Sequence, residues 1–399
     1  MKILAMKILA LNCGSSSIKY KVFAWGKQEV LVEGQVERIG IADGCVSHEV
    51  ALKQILKELP EIAAVGHRVV HGGEKFKSSM LITPEVLEEI KKVKDLAPLH
   101  NPPNIEGIES AQKVWPKIPH IAVFDTAFHQ TMPEIAYTYA VPYEWYKMYG
   151  VRRYGFHGTS HLYVSRRAAV MLKKPVAETN VITMHIGNGV SIAAIKNGIS
   201  VDTSMGLTPL EGAVMGTRSG DIDPGILLFM IEKEGFYADQ LDNILNKKSG
   251  LFGITGKYMD RRDIYKSAEA GDQRAQLAID IEVYRLKKYL GAYLAVLGKL
   301  DALVFTAGAG EKNWKLRERV LEGCEGLGLV LDREKNRVAK SHEVEADISF
   351  PGSQSKILVI PTDEERVFIE DVVAILENRY DVHTKFTYSF ERPDYQRTK

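Results

Sequence analysis

Apolar and polar residues alternate along the chain in two stretches that share one order of predicted strands. Each stretch has three short apolar runs separated by polar turns, at residues 3–11, 20–25 and 29–36 and again at residues 181–187, 190–195 and 199–203. In the second stretch the turns contain Asn188-Gly189 and Asn197-Gly198. An Asn-Gly pair between apolar runs is a strong signal for a β-hairpin. We therefore predict the same three-stranded unit in each half of the chain, and two similar domains.

Helical spacing of apolar residues follows these strands in both halves. Four segments show it, at residues 84–93, 104–115, 272–300 and 312–324. Thr83 is suited to cap the first of them, and Pro84 to occupy its first position. Strands followed by helices, twice in one chain, predict an α/β protein with mixed β-sheets flanked by helices.

The composition is that of an ordinary globular protein. The 399 residues are enough for two or three domains, and a net charge of +1 gives no sign of binding to nucleic acid or to a membrane surface. The most apolar stretch, residues 293–310, is interrupted by Lys299 and Asp301, so we predict no membrane-spanning segment. Three widely spaced cysteines and the lack of a secretion signal lead us to expect a cytoplasmic protein.

The turn between the first two predicted strands has the chemistry of a phosphate-binding turn. Residues 12–19 read Asn-Cys-Gly-Ser-Ser-Ser-Ile-Lys. Backbone N–H groups, three hydroxyls and one ammonium group suit the oxygens of a polyphosphate. The spacing of a Walker A loop is missing, and the turn joins two strands rather than a strand and a helix. This pattern favours the actin-like and sugar-kinase-like ATPases, while an ordinary surface turn is the alternative.

Two arginines lie in glycine-containing loops in different halves of the chain. Arg68 is part of GHRVVHGG at residues 66–73, and Arg218 is part of MGTRSGDIDP at residues 215–224. The planar fork of arginine matches the two oxygens of a carboxylate or a phosphoryl group. Two such residues could hold one anion from both sides, whereas a surface ion pair is the alternative for a lone arginine.

Three more segments place polar residues at the ends of predicted elements. Asp125 ends an apolar strand, where it could hold Mg²⁺, orient a nucleophile, or cap the next segment. His157 and His161 are four residues apart, but no third zinc ligand is near in sequence, so we interpret His157 as a donor to a phosphoryl group. Gly308 and Gly310 follow a strand, where exposed backbone suits a ribose or a base.

Nine short segments together resemble the acetate kinases, in the order in which that family has them. They are NCGSSSIK at 12–19, GHRVVHGG at 66–73, APLHN at 97–101, AVFDTAFH at 122–129, RYGFHGTSH at 153–161, HIGNG at 185–189, MGTRSGDIDP at 215–224, FTAGAGE at 305–311 and IPTDEE at 360–365. The resemblance implies two actin-like, ribonuclease-H-like domains, with nucleotide and substrate in the cleft between them. It assigns residues 1–127 and 363–399 to the first domain and 128–362 to the second.

Carried over position by position, the resemblance implies a complete active site. The chemistry would be carried by Arg68, Asp125, His157 and Arg218. The acyl pocket would be lined by Arg68, Val70, Leu99, Phe156 and Pro209. The nucleotide would be bound by Asn12, Ser15, Ser17, Lys19, His185, Asn188, Gly189, Asp260, Arg262, Gly308 and Gly310. The metal ion would lie beside Asn12 and Glu364.

The resemblance also implies an activity, a cofactor and an assembly. The expected reaction is in-line phosphoryl transfer from ATP to acetate, giving acetyl phosphate and ADP, with Mg²⁺, or Mn²⁺ in its place. The expected assembly is a homodimer formed through the second domain, for which the long helix with Tyr284, Tyr289 and Tyr293 offers indirect support. One alternative is a kinase for propionate or another short-chain acid. A more remote one is a non-enzymatic nucleotide switch, which would not need both arginines.

Two segments depart from the family pattern. Lys312-Asn313-Trp314 replaces the Asn-Ser that usually follows the late glycine turn, and residues 256–260 lack a usual serine. Both lie on the expected nucleotide side, so the preference for a base stays open.

Overall fold

The chain folds into two compact units. The structure, a computed structural model, describes residues 6–14, 17–39, 45–59, 61–97, 100–339 and 343–397. The first unit comprises Met1–Gln130, Phe156–Tyr163 and Asp363–Lys399, and the second comprises Thr131–Gly155 and Val164–Thr362. The domain boundaries predicted after residue 127 and before residue 363 stay a prediction.

The first unit contains a mixed sheet of six strands within the described residues. They are β1 (Lys7–Gly14), β2 (Ser17–Ala24), β3 (Glu29–Glu37), β4 (Ala64–Val69), β5 (Met80–Leu81) and β6 (His120–Phe124). Their order across the sheet is β3-β2-β1-β4-β6-β5. β1, β2 and β3 are antiparallel neighbours, β1, β4 and β6 run parallel, and β5 is antiparallel to β6.

The second unit repeats this sheet strand for strand in the part of the chain that the structure describes. Its strands are β7 (Val181–Ile186), β8 (Val190–Lys196), β9 (Ile199–Thr203), β10 (Ala302–Thr306), β11 (Ala346–Asp347) and β12 (Lys356–Val359). The order is β9-β8-β7-β10-β12-β11, with the same pattern of strand directions. Asn197 and Gly198 both have positive φ, as a two-residue hairpin turn requires. The predicted duplication and the α/β class with mixed sheets are confirmed.

Helices flank both sheets. Those in or entering the first unit are α1 (His48–Glu58), α2 (Pro84–Lys92), α3 (Asn101–Val114), α6 (Gly158–Leu172) and α15 (Glu364–Leu376). The second unit has α4 (Glu134–Tyr137), α5 (Tyr143–Tyr149), α7 (Gly225–Glu234), α8 (Ala238–Lys247), α9 (Gly250–Thr255), α10 (Arg261–Glu269), α11 (Gln273–Leu297), α12 (Ala307–Lys312), α13 (Trp314–Leu321) and α14 (Arg333–Val338). Short 3₁₀ turns lie at Lys94–Leu96, Ala127–Thr131, Val176–Glu178, Glu325–Leu327 and Ser389–Glu391. No helix among the described residues is long and apolar enough to cross a membrane.

The sheet of the first unit is buried on both faces. On one face Ile8 and Phe23 pack with Phe368 and Val372 of α15. On the other face Leu9 and Leu11 belong to a cluster with residues of α1 and α3. Apolar side chains on both sides of β1 explain why the strand reads as a continuous apolar run rather than an alternating one.

Residues described after α15 pack on that helix. The Tyr388 hydroxyl donates to Asp371 at 2.9 Å, and the backbone N–H of Ser389 donates to Glu370 at 2.6 Å. The rings of Tyr388 and Phe390 are buried and stacked on each other. Tyr388 and Phe390 therefore belong to the core of the first unit.

Candidate active site

One cavity of the first unit collects four of the predicted site residues. Asn12 and Lys19 lie opposite each other on β1 and β2. They line a cavity of about 400 Å³ together with Arg68 and Glu364. The two strands that flank the predicted phosphate turn form an antiparallel hairpin, paired as far as Gly14 and Ser17. Ser15 lies outside the described residues.

Arg68 is fixed by a two-pronged ion pair with Asp125. Its Nε donates to Oδ1 at 3.0 Å and its Nη2 donates to Oδ2 at 2.6 Å. Both residues stand at the carboxyl ends of parallel strands, β4 and β6, so the sheet holds them side by side. Burial opposes the charge of Arg68, but Asp125 outweighs it and raises the pKa of the guanidinium further above its usual range. The carboxylate is 1% exposed and serves to orient the arginine.

His157 lies at the start of α6, beside the same aspartate. Its φ is +56°, and the next residue, Gly158, donates its N–H to the carbonyl oxygen of Asp125 at 2.9 Å. A Cβ at Gly158 would overlap that oxygen, so only glycine allows this approach. His161 is fully buried with its ring against His129. Among the described residues no group of three or more His, Cys, Asp and Glu side chains is suited to hold a metal ion, and the interpretation of His157 as a donor to a phosphoryl group stays a prediction.

Glu364 is a carboxyl group placed where a cation would stabilise its charge. It is the first residue of α15, and it accepts a hydrogen bond from the Thr159 hydroxyl at 3.3 Å. Removal from water raises the pKa of its carboxyl to about 7, with Asp125 and Glu365 adding to the rise and Arg68 opposing it. Asn12 supplies an amide oxygen to the same cavity. An amide oxygen and a carboxylate fit Mg²⁺, which is typically held by one or two carboxylates together with substrate phosphates.

The predicted acyl-pocket residues of the first unit lie just beyond Arg68. Val70 is buried, and its N–H donates to the side chain of Asn104 at 3.0 Å. Phe156 is buried with its ring against His71 at 5.5 Å between centroids. Leu99 lies outside the described residues.

Five predicted site residues of the second unit lie on β7, on the turn that follows it and on the segment that carries Arg218. His185 is on β7, and Asn188-Gly189 form the turn to β8. The carbonyl of Asn188 accepts from the N–H of Gly216 at 3.1 Å, which sets the turn against the loop that carries Arg218. The Nη1 of Arg218 donates to the carbonyl of Pro209 at 3.0 Å. The predicted phosphate contacts and acyl contacts of this unit are therefore physically linked.

The predicted nucleoside residues occupy two helix starts in the second unit. Asp260 caps α10 and forms a two-pronged pair with Arg262, which lowers the pKa of Asp260 to about 2. The guanidinium of Arg262 is largely exposed. Gly308 and Gly310 lie in α12, where nothing stands within 4 Å of a Cβ built on Gly308. Exposed backbone at this position suits a flat ligand.

Sequence reasoning missed several residues that hold the site in shape. Asn101 exchanges two hydrogen bonds with the backbone of His71, at 3.0 and 2.9 Å. Asn104 bonds both Val70 and the carbonyl of Cys13, so it joins the arginine loop to the phosphate hairpin. Arg261 donates to the carbonyl of Gly187 at 2.7 Å. Asn101 and Asn104 could have been identified from their position near the start of a helix, because asparagine side chains there commonly bind backbone groups.

The comparisons with known proteins agree over nearly the whole chain. The acetokinase family matches residues 7–51 and 45–370. The chain is 58% identical to the acetate kinase of Geobacter sulfurreducens, over 98% of this chain and 100% of that protein. It is 51% identical to the acetate kinase of Treponema pallidum, over 98% of this chain and 94% of that protein.

Solved structures give the same result. Acetate kinase from Porphyromonas gingivalis superposes with a TM-score of 0.88 at 46% identity, covering 93% of this chain and 100% of that one. A propionate kinase from Francisella tularensis superposes with a TM-score of 0.86 at 42% identity, covering 92% and 98%. On family match, identity and fold together, the chain belongs to the acetokinase family.

Proposed function

We propose that the protein is an acetate kinase, which transfers the γ-phosphoryl group of ATP to acetate reversibly and forms acetyl phosphate and ADP. The observation that carries the proposal is the Arg68–Asp125 pair beside Asn12, Lys19 and Glu364 in a single cavity. A rigidly held arginine can bind the carboxylate that accepts the phosphoryl group, and the hairpin beside it can bind the phosphates of the donor. The chain is similar to the acetate kinases named above over 94% or more of their length.

The chemistry asks for alignment and charge neutralisation rather than for a base. Acetate is already an anion near neutral pH, so its oxygen can attack the γ-phosphorus without losing a proton. Asp125 engages Nε and Nη2 of Arg68. We assign the remaining nitrogen, Nη1, to the anionic substrate. Preorganised positive groups act most strongly on the charge that spreads over the transferring phosphoryl oxygens. We assign that task to Arg68, Arg218 and His157.

Asn12 and Glu364 are the residues that would hold Mg²⁺, or Mn²⁺ in its place. When bound, the cation would neutralise the negative charge of the nucleotide phosphates. Lys19 adds a further positive charge on the same cavity wall. In the second unit His185, Asn188 and Gly189 are proposed for the phosphates, and Asp260, Arg262, Gly308 and Gly310 for the nucleoside.

A second candidate is a propionate kinase, favoured by the similarity to the Francisella enzyme. Val70 and Phe156 are apolar and suit a short acyl chain, as does Pro209. One extra methylene changes discrimination by only about 1–3 kcal/mol, so propionate is expected to react as well. We propose acetate as the preferred acid because the acetate kinases named above have the higher identities.

We further propose a cytoplasmic homodimer. Three free cysteines suit a reducing compartment. The support for a dimer lies in α7, whose described residues include the exposed Leu228 and Phe229, at 72% and 56%. The support expected from α11 is weak, since Tyr289 bonds Asp221 and Tyr293 is buried. Light scattering should give about twice the chain mass for the wild type and a smaller mass for Leu228→Glu.

The activity is tested by trapping acyl phosphate as hydroxamate with Mg-ATP and each of acetate, propionate and butyrate. We expect the highest kcat/KM with acetate, a lower value with propionate and the lowest with butyrate. Arg68→Ala serves as the control for contaminating kinases and should yield almost none. Absence of product with all three acids would overturn the proposal, and a preference for propionate would replace it with the second candidate.

A further inference from the structure

The loop that carries Arg218 is closed by a pair of hydrogen bonds at its base. The N–H of Gly212 donates to Oδ1 of Asp221 at 2.8 Å, and the N–H of Asp221 donates to the carbonyl of Gly212 at 2.8 Å. Gly212 and Gly220 have φ of +119° and +68°, conformations that favour glycine. Residues 212–221 therefore form a closed segment with Arg218 inside it.

Helix α11 holds one side of this closure. The Tyr289 hydroxyl donates to Oδ2 of Asp221 at 2.6 Å, so both carboxylate oxygens of Asp221 are engaged. Burial and the adjacent carboxylate raise the pKa of Tyr289 above its usual range, and the phenol stays a hydrogen-bond donor at neutral pH. A long helix packed on the sheet thus anchors the loop through one hydroxyl.

A second anchor holds the segment that precedes the closure. Nη2 of Arg153 donates to Oε1 of Glu211 at 2.6 Å, and Nη1 of Arg153 donates to the carbonyl of Thr203 at 2.8 Å. The hydroxyl of Tyr139 donates to Oε2 of Glu211 and accepts from the N–H of Leu207 at 3.1 Å. Glu211 is thereby tied to the end of β9 and to the segment before α5.

The second anchor lies close in sequence to the residue that holds Arg218. Pro209, whose carbonyl accepts from Arg218 at 3.0 Å, lies two residues before Glu211. A shift of Glu211 would therefore move the Pro209 carbonyl and the guanidinium that it holds.

We infer that Glu211 and Asp221 are positioning residues for Arg218 and Pro209, held in turn by Arg153, Tyr139 and Tyr289. The inference rests on the proposed function, because it gives Arg218 a role in phosphoryl transfer and Pro209 a role in the acyl pocket. Displacement of a catalytic group by about 1 Å can cost about 100-fold in rate. Loosening either anchor should therefore lower kcat and also change the choice between acetate and propionate.

The test compares Glu211→Gln and Tyr289→Phe with matched controls in the same unit. Glu345→Gln removes the carboxylate charge from another Arg–Glu pair, with Arg167, and Tyr284→Phe removes an exposed hydroxyl from the same helix as Tyr289. We expect kcat with acetate to fall about 10- to 100-fold in Glu211→Gln and about 5-fold in Tyr289→Phe. The acetate-to-propionate ratio of kcat/KM should shift about 3-fold or more in both, with KM for ATP nearly unchanged. Both controls should stay near the wild type in every constant.

A purely structural role predicts a different result. Partial unfolding lowers the rates with both acids equally, so an unchanged acetate-to-propionate ratio would overturn the inference, as would a wild-type kcat. If Glu211→Gln does not fold, Tyr139→Phe, which removes one of its two supports, is measured in its place with the same criteria. Arg218→Ala is measured alongside. Full activity of that variant would refute the proposed role of Arg218, whereas loss of activity there with normal Glu211 and Tyr289 variants would refute the inference alone.

Discussion

The two arginines of the candidate site are held by different means. Arg68 stands at the end of a parallel strand and is gripped by a carboxylate on the neighbouring strand through two of its nitrogens. Arg218 lies in a loop, and its Nη1 donates to the carbonyl of Pro209, which precedes that loop, and contacts the sulfur of Met215 at 3.8 Å. A sheet supplies rigidity to the first, whereas the second depends on anchors around its loop. We therefore expect the same substitution to lower activity by different factors at Arg68 and at Arg218.

The largest effects should come from removing either guanidinium. Arg68→Ala and Arg218→Ala should each lower kcat/KM for acetate by about 1000-fold, or about 4 kcal/mol, because charge-assisted bonds to the transition state are lost. Lysine replacements sharpen the comparison. Arg68→Lys cannot form the two-pronged contact and should lose nearly as much as alanine, while Arg218→Lys can still reach one carbonyl and should retain more. Equal losses in the two lysine variants, measured by steady-state kinetics, would contradict the distinction.

Asp125→Asn tests whether Arg68 needs its ion pair with Asp125. The amide keeps the shape of the carboxylate but removes its charge, so Arg68 should become mobile and kcat should fall by about 10- to 100-fold. KM for ATP should change little, because Asp125 contacts the arginine rather than the nucleotide hairpin. A variant with wild-type kcat would show that Arg68 needs no carboxylate partner.

Glu364 should make the binding of Mg²⁺ depend on pH. Since the pKa of its carboxyl is about 7, a cation must displace a proton below that pH, and the apparent Kd for Mg²⁺ should rise by up to about tenfold per pH unit as the pH falls from 7 to 5. Calorimetry in two buffers of different ionisation enthalpy should detect the released proton. Glu364→Gln should bind Mg²⁺ weakly, without this dependence. Proton release that is unchanged in the variant would assign it to another group.

The same carboxyl should also affect stability, with the opposite sign of pH dependence. Its folded pKa lies above the unfolded value of 4.5, so its favourable contribution is complete below pH 4.5 and is lost as the pH rises through 7. Without metal, Glu364→Gln should therefore unfold at a higher denaturant concentration than the wild type at pH 8. The difference between the two unfolding midpoints should shrink towards pH 5. Urea titrations at pH 8 and pH 5 measure it, and equal midpoints at pH 8 would contradict the prediction.

The smallest effect is expected at Val70. Val70→Ala enlarges an apolar wall next to Arg68 and should shift kcat/KM towards propionate by about 1 kcal/mol, or roughly fivefold. Measuring kcat/KM for acetate, propionate and butyrate in the wild type and the variant tests this shift. An unchanged ratio would mean that the side chain does not line the acyl pocket.

Local patterns predicted more of the fold than of the site. Apolar runs and Asn-Gly turns were enough to predict the two antiparallel units, because hairpin pairing is local in sequence. Helix ends were less accurate: α3 begins at Asn101 rather than at residue 104, since prolines are tolerated in a first turn, and α11 ends at Leu297, before Gly298. The parallel pairing of β10 with β12 joins segments about fifty residues apart, and no local pattern specifies it.

The site shows the same limit. Arg68 and Asp125 were each identified, but their ion pair spans 57 positions and depends on the register of β4 against β6. Arg153 was seen as part of a motif, yet its partner Glu211 lies 58 positions away. Such pairs follow from the packing of strands and loops, which sequence spacing does not contain. The residues proposed to contact substrate were therefore easier to identify from the sequence than the residues that hold them in place.

The most direct test of the account is ³¹P NMR of the wild-type protein with Mg-ATP and acetate labelled with ¹⁸O in both carboxyl oxygens. Transfer of the γ-phosphoryl group joins an acetate oxygen to phosphorus and breaks the bond between that phosphorus and the β,γ-bridging oxygen of ATP, which leaves with ADP. We expect ADP and an acetyl phosphate signal with the isotope shift of one ¹⁸O in the bond to phosphorus. AMP with pyrophosphate, or ADP with inorganic phosphate and no acyl phosphate at any time, would contradict it.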